Sequence, residues 1–167
     1  GVCKLDGYDI AQICLNGHLI SRFAGSSPER RANACPECGA KTILQCQECN
    51  ALIRGNYHVD FVIGVSSNFV IPKHCHNCGA PYPWTRRSIE AMKKLLEEED
   101  ALDEESKGKA LEAIPDLIAN TPSTPLAEAR WKKVLSKVTK SAGEGLRTIL
   151  IEVATEAVKK SLGLGQP

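Results

Sequence analysis

The 167-residue chain lacks a dominant charge sign. It has 21 Lys and Arg against 20 Asp and Glu, a formal net charge of +1. Phosphate backbones are held by a basic field, and bulk charge offers none here. The groups Arg30-Arg31, Arg86-Arg87 and Lys132-Lys133 are too small to supply one locally. The stretch "GVCKLDGYDI" has no basic region followed by an apolar run, so no secretory signal is expected. Motifs of several common chemistries are missing: His-Glu-x-x-His, His-x-Glu followed by Pro-Cys-x-x-Cys, Gly-x-x-x-x-Gly-Lys-Ser/Thr and Gly-x-Ser-x-Gly. These absences do not close the enzyme question, but nothing in the chain argues for one. No stretch is expected to span a membrane. The last amphipathic segment is too short and carries Arg147, Glu152, Glu156, Lys159 and Lys160.

Cysteine, by contrast, is abundant. Six of the eight cysteines form Cys-x-x-Cys pairs, Cys35/Cys38, Cys46/Cys49 and Cys75/Cys78. Cys14 has His18 close by, and Cys3 stands alone as an expected free thiol. Two residues between cysteines suit a metal knuckle or a redox pair better than a staple between distant parts of a chain. A redox pair needs a βαβ setting, and three pairs in a Gly- and Pro-punctuated stretch do not provide it. A cytoplasmic metal binder is the expectation.

Structural zinc takes four ligands in a tetrahedron, so four two-ligand turns make two sites. In the sequential pairing, Cys14, His18, Cys35 and Cys38 hold one ion, and Cys46, Cys49, Cys75 and Cys78 the other. Spacing alone leaves two other pairings open. Cys35/Cys38 can join Cys46/Cys49 while the outer turns meet, or the first turn can join the third and the second the fourth. Thiolate sites also accept iron. With eight protein ligands both sites close, which points to structural zinc, two ions per chain, and away from catalysis. His74 and His76 flank Cys75 on opposite sides of an extended segment and are read as non-ligands, and His58, in "GNYHVD", is read as a strand residue.

Gly17, Gly39 and Gly79 lie inside or just after their turns, where φ > 0 is often needed. Asn50 holds the matching place after Cys49, and Asn is the next most tolerant residue there. With "CGA" at Cys38 and Cys78 and "CNA" at Cys49, three similar turns are expected. "KTILQC", "NALIRG" and the alternating "YHVDFVIGVSSNFVIPKHC" read as short strands.

After Trp84 the composition changes to dense charge with apolar residues at helical spacing. The expected organisation is a double zinc-ribbon domain over 1–84 and a helical domain over 85–167, an α+β fold with about four helices. The first helix runs about Thr85 to Asp100, with Ile89, Met92, Leu95 and Leu96 on one face. The second begins near Asp103 as cap and should be kinked or split by Pro115. Thr124 as N-cap and Pro125 start the third. "SAGEGL" interrupts, and the fourth runs from Leu146 to Ser161 with Gly163 as its C-terminal cap. Its stripe is Leu146, Ile149, Leu150, Val153, Ala157 and Val158.

"YDIAQICLNGHLI", "CPECGAKTI", "CQECNALIRGNYHV" and "CHNCGAPYPWT" resemble the motifs of a bacterial zinc-ribbon family catalogued as a domain of unknown function. "TPLAEARWKKVL" and "LIEVATEAVKK" resemble its helical tail. The resemblance implies a bacterial, cytoplasmic protein with a two-zinc N-terminal region, and it implies no activity. The expected role is a non-catalytic, zinc-binding interaction or scaffold module with an unknown protein partner, self-associating through the last helical stripe. The alternative is a nucleic-acid-binding ribbon using Tyr57, Phe61, Phe69, Tyr82 and Trp84 to stack on bases. A metal-dependent enzyme is the third reading.

Overall fold

The structure, a computed structural model, describes residues 7–58 and 68–164. Cys3, Phe61 and the middle of the alternating stretch, 59–67, lie outside the described residues. The chain divides into two compact units, Gly1–Arg86 and Arg87–Pro167.

The first unit is built from very short strands. β1 (Tyr8–Ile10) pairs antiparallel with β5 (Arg54–Tyr57). β2 (Gln12–Cys14) lies between β3 (Leu19–Ser21) and β4 (Thr42–Ile43), antiparallel to both. Strands β1 to β3 come from "YDIAQICLNGHLIS", too short for a period of two to stand out. The strand expected in "NALIRG" begins only at Arg54, and Val70 and Ile71 lie in no strand. A small core holds Ile13, Ile43, Ile53, Tyr82 and Trp84 together with Cys46 and Cys75. Tyr82 and Trp84 stack with ring centroids 4.7 Å apart, and the Trp84 indole N–H donates to the Pro72 carbonyl at 2.9 Å. Being 2% and 7% exposed, neither ring can stack on a nucleic-acid base.

The second unit contains most of α1 (Pro83–Glu97), then α2 (Glu104–Ile118), α3 (Thr124–Lys137), α4 (Lys140–Val153) and the six-residue α5 (Glu156–Ser161). Met92, Leu96, Ile114, Leu117, Trp131, Leu146, Leu150 and Val158 form its core. Pro115 does not split α2, because it lies three residues from the helix end on the exposed face, where a missing N–H costs one bond near the terminus. Asp103 caps α2 through the Ser106 N–H at 2.6 Å. Thr124 is the first residue of α3 rather than its cap. Its hydroxyl donates to the carbonyls of Asp116 (3.0 Å) and Ala119 (3.2 Å) and ties the α2–α3 turn.

"SAGEGL" is inside α4, not a break before it. Thr139 caps that helix through the Ala142 N–H at 3.4 Å. Gly143 is the close-approach position there, since a Cβ on it would stand 3.3 Å from Val138 Cγ2. The real interruption is at Ala154-Thr155. The Thr155 N–H leaves the helix to donate to the Leu117 carbonyl at 3.1 Å, and its hydroxyl caps α5. Gly163 (φ +70°) closes α5 as expected, with Leu164 N–H donating to Lys159 O at 2.7 Å and Gly163 N–H to Lys160 O at 3.2 Å. Leu146, Leu150, Val153 and Val158 are buried within this unit. Of the rest of the expected stripe, Ile149 is half-buried and Ala157 exposed.

Glu99, 4% exposed, is the buried acid of this unit. Its carboxylate accepts from Ala101 N–H (2.9 Å), Thr139 N–H (3.1 Å) and Thr139 Oγ–H (3.0 Å). The Ala101 N–H leads in holding its pKa below the usual carboxylate value. A lowered folded-state pKa contributes stability above the ordinary pKa and loses it as pH falls through the lowered one. Glu99→Gln is expected to lower the melting temperature at neutral pH, flatten the acid limb of the stability profile and leave metal content unchanged. An unchanged acid limb in far-UV melts would acquit Glu99.

Candidate metal centres

Each Cys-x-x-Cys turn has the same backbone. The residue before the first cysteine bridges the residue three after the second: Ala34 with Lys41, Gln45 with Leu52, His74 with Pro81. Within each turn the first cysteine's N–H donates to the alanine carbonyl at 2.8 Å, that of Ala40, Ala51 or Ala80. Its carbonyl accepts from Gly39 (2.8 Å), Asn50 (3.0 Å) or Gly79 (2.9 Å). Those three residues have φ of +72°, +61° and +75°, the left-handed region that Gly enters freely and Asn tolerates. Amide N–H groups of Glu48 and Asn77 donate to Cys46 and Cys75 Sγ, both at 3.4 Å.

The remaining ligand turn, first in the chain, differs. Cys14 ends β2 and His18 precedes β3, so the hairpin loop itself carries the pair, with the His18 N–H donating to Cys14 Sγ at 3.3 Å. Gly17 is required twice over: its φ is +91°, and a Cβ on it would sit 3.0 Å from Trp84 Cβ. The connection from this hairpin to Cys35 is pinned by two side chains. Asp9 accepts from the N–H groups of Gly25 and Ser26 and from the Ser26 hydroxyl. Buried Gln12 donates to Ala32 O (2.8 Å) and Thr42 Oγ1 (2.8 Å) and accepts from Ala32 N–H (3.1 Å).

The structure brings first turn to second and third to fourth. Ligand atoms of Cys14, His18, Cys35 and Cys38 all lie within 4.8 Å of one another, and so do those of Cys46, Cys49, Cys75 and Cys78. His74 and His76 stand in neither group. Burial lowers the pKa of both, with Lys73 adding to it at His74 and Arg54 at His76.

The edges of the two groups test the fit of a metal. Sulfur at about 2.3 Å and nitrogen at about 2.0 Å from a tetrahedral ion imply S···S edges of about 3.8 Å and S···N edges of about 3.5 Å. The observed S···S edges are 3.8 Å (Cys14–Cys38), 3.8 Å (Cys46–Cys78) and 3.6 Å (Cys49–Cys75). His18 Nδ1 lies 3.5 Å from Cys14 Sγ and 3.6 Å from Cys35 Sγ. A disulfide would need about 2.0 Å, and the seven described cysteines form none.

Protonation points the same way. The Ala40 N–H and the Asn16 amide draw the Cys38 thiol down to about 6. The Ala80 N–H favours the Cys78 thiolate, yet desolvation and the neighbouring Cys49, Cys46 and Cys75 sulfurs push it up to about 12. Thiolates this close resist ionising together unless a cation shares the site. Both groups can hold a metal ion. In each, two sulfurs are buried, Cys14 and Cys35 in one, Cys46 and Cys75 in the other.

Two contacts beyond the ligands escape sequence reasoning. His18 Nε2, the nitrogen turned away from the sulfurs, lies 3.4 Å from Glu37 Oε2. Asn77 Nδ2 donates to Cys49 Sγ at 3.5 Å. Both residues sit just before the last cysteine of their group, but nothing in the spacing says that they reach across.

Among the described residues, no helix is long and apolar enough to cross a membrane. No curated protein and no solved structure matches the chain. A family model described as "Uncharacterized protein conserved in bacteria (DUF2321)" matches residues 7–162, spanning both four-residue groups and the helices behind them. The chain belongs to that bacterial family.

Proposed function

We propose that the N-terminal unit is a structural zinc module with two ions, and that the protein works in the cytoplasm by binding a protein partner rather than by chemistry. One observation carries this reading: each group brings together four protein ligand atoms, the full number that a tetrahedral structural ion takes. A catalytic zinc site keeps one corner for water. Zinc is preferred to iron because an imidazole beside three thiolates makes one of the common structural zinc sets. The nucleic-acid alternative loses two of its stacking rings to the core, Tyr82 and Trp84.

Native mass spectrometry, paired with elemental analysis, tests the reading. Two zinc ions per chain are expected. His18→Ala and Cys38→Ser should each lose one ion, and Cys75→Ser the other. A variant that keeps both ions removes its residue from the ligand set. Iron in the purified protein, or an oxygen ligand in its X-ray absorption spectrum, overturns the closed-zinc assignment. Nucleic acid in the native spectrum shifts the partner class.

A further inference from the structure

The two groups repeat one frame. Cys14 stands where Cys46 does, His18 where Cys49 does, Cys35 where Cys75 does and Cys38 where Cys78 does. The edges agree: first ligand to last is 3.8 Å in both, and second to third is 3.6 Å in both. Only the second ligand changes type, imidazole in one and thiolate in the other. The residue before the last cysteine changes with it. Glu37 Oε2 lies 3.4 Å from His18 Nε2, and Asn77 donates its amide N–H to the Cys49 sulfur at 3.5 Å. An acceptor faces a donor in one site, and a donor faces an acceptor in the other. The middle turn, "CQEC", is the internal contrast. Its Glu48 holds the same place but pairs with Arg86 at 2.9 Å.

We infer that Glu37 and Asn77 are positioning residues whose hydrogen-bonding sense is matched to the second ligand of their own site, an inference that rests on the metal reading above. With Nδ1 among the sulfurs, His18 must carry its ring proton on Nε2. Glu37 accepts that proton's hydrogen bond and so holds the imidazole in the one tautomer that leaves Nδ1 free to ligate. Asn77 does the corresponding work for a thiolate, offering an N–H that offsets part of its charge. Exchanging the two chemistries would set a carboxylate against a thiolate.

The test is a sign reversal in metal retention. Zinc is titrated out of the full chain with a competing chelator, site by site. Outer partners of ligating His commonly tune affinity by 10–100-fold, and Glu37 is exposed, so the low end applies. Glu37→Ala is expected to weaken the first site about tenfold and leave the second unchanged, with Glu37→Gln keeping most of the affinity because its amide oxygen still accepts. Glu37→Asn, one methylene shorter and so unable to bring its amide oxygen to Nε2, should weaken the first site when His18 is present. In a His18→Cys background the same substitution should strengthen it, since it replaces carboxylate-thiolate repulsion with an N–H donor. Long-range ¹H–¹⁵N NMR of the zinc-loaded protein should show the His18 Nε2–H in both the wild type and Glu37→Ala, with that proton exchanging with water markedly faster in the variant. Effects of Glu37→Asn with one sign in both backgrounds, or a Glu37→Ala change within twofold, would overturn the matching. A wild-type protein holding no ion would overturn the metal reading itself.

Discussion

Stripping metal from the intact protein at neutral pH is expected to unfold the N-terminal unit and spare the helical one. The reason is the small scale of what else holds that unit together. Its strands are two to four residues long, and two of its core members are the candidate ligands Cys46 and Cys75. A structural zinc supplies about 10–16 kcal/mol of apparent binding energy at neutral pH, as much as the whole stability of an ordinary domain, about 5–15 kcal/mol. Without the cation, each group is left with close-packed thiols that cannot ionise together. The two tryptophans make the outcome readable, since Trp84 lies in the first unit's core and Trp131 in the second's. With a strong chelator, Trp84 emission in a Trp131→Phe background should shift to the red, while Trp131 in a Trp84→Phe background holds. Unchanged Trp84 emission with the metal demonstrably gone would mean that the unit stands without its ions.

The largest single effect in the helical unit is expected at Trp131. Its side chain is fully buried in the core, and its indole N–H donates to the Ala110 carbonyl at 3.1 Å, joining α3 to α2. Truncating a buried Trp to Ala costs about 3–5 kcal/mol through lost burial and the cavity left behind. That is a large share of a typical domain's stability. Trp131→Ala is expected to lower the urea midpoint of the far-UV signal sharply while both metal ions are retained. Trp131→Phe keeps most of the volume and gives up the hydrogen bond, a loss of about 0.5–1.5 kcal/mol beyond the smaller ring's packing. A Trp131→Ala cost below about 1 kcal/mol would show that α2 and α3 are held together elsewhere.

What could be read in advance follows the range of the interaction. The three repeated turns were legible down to Asn50, because a turn's backbone is dictated by the residues inside it. The same holds for the Asp103 cap and for Gly163 beyond α5. Long-range contacts were not legible. "SAGEGL" looks like a breaker by local propensity, yet α4 runs through it, its far end anchored by Leu146 and Leu150 in the core of the unit. The true break at Thr155 is set by the Leu117 carbonyl, 38 positions earlier in the chain. Spacing left three ways to pair the four turns. The hairpin at Gly17 and the pins from Asp9 and Gln12 act across β2, β3 and the connection to Cys35, and no local pattern announces them.

The pairing of neighbouring turns also has a consequence for synthesis. Neither group encloses or interlaces with the other, so each closes a single short stretch of chain, Cys14 to Cys38 or Cys46 to Cys78. Closing a shorter loop loses less chain entropy, and N-terminal segments leave the ribosome first. The first tetrad is complete once Cys38 has emerged, ahead of the four ligands of the second. An ion captured there closes one tetrad before the second has fully emerged, so the nascent chain presents its ligands four at a time rather than eight.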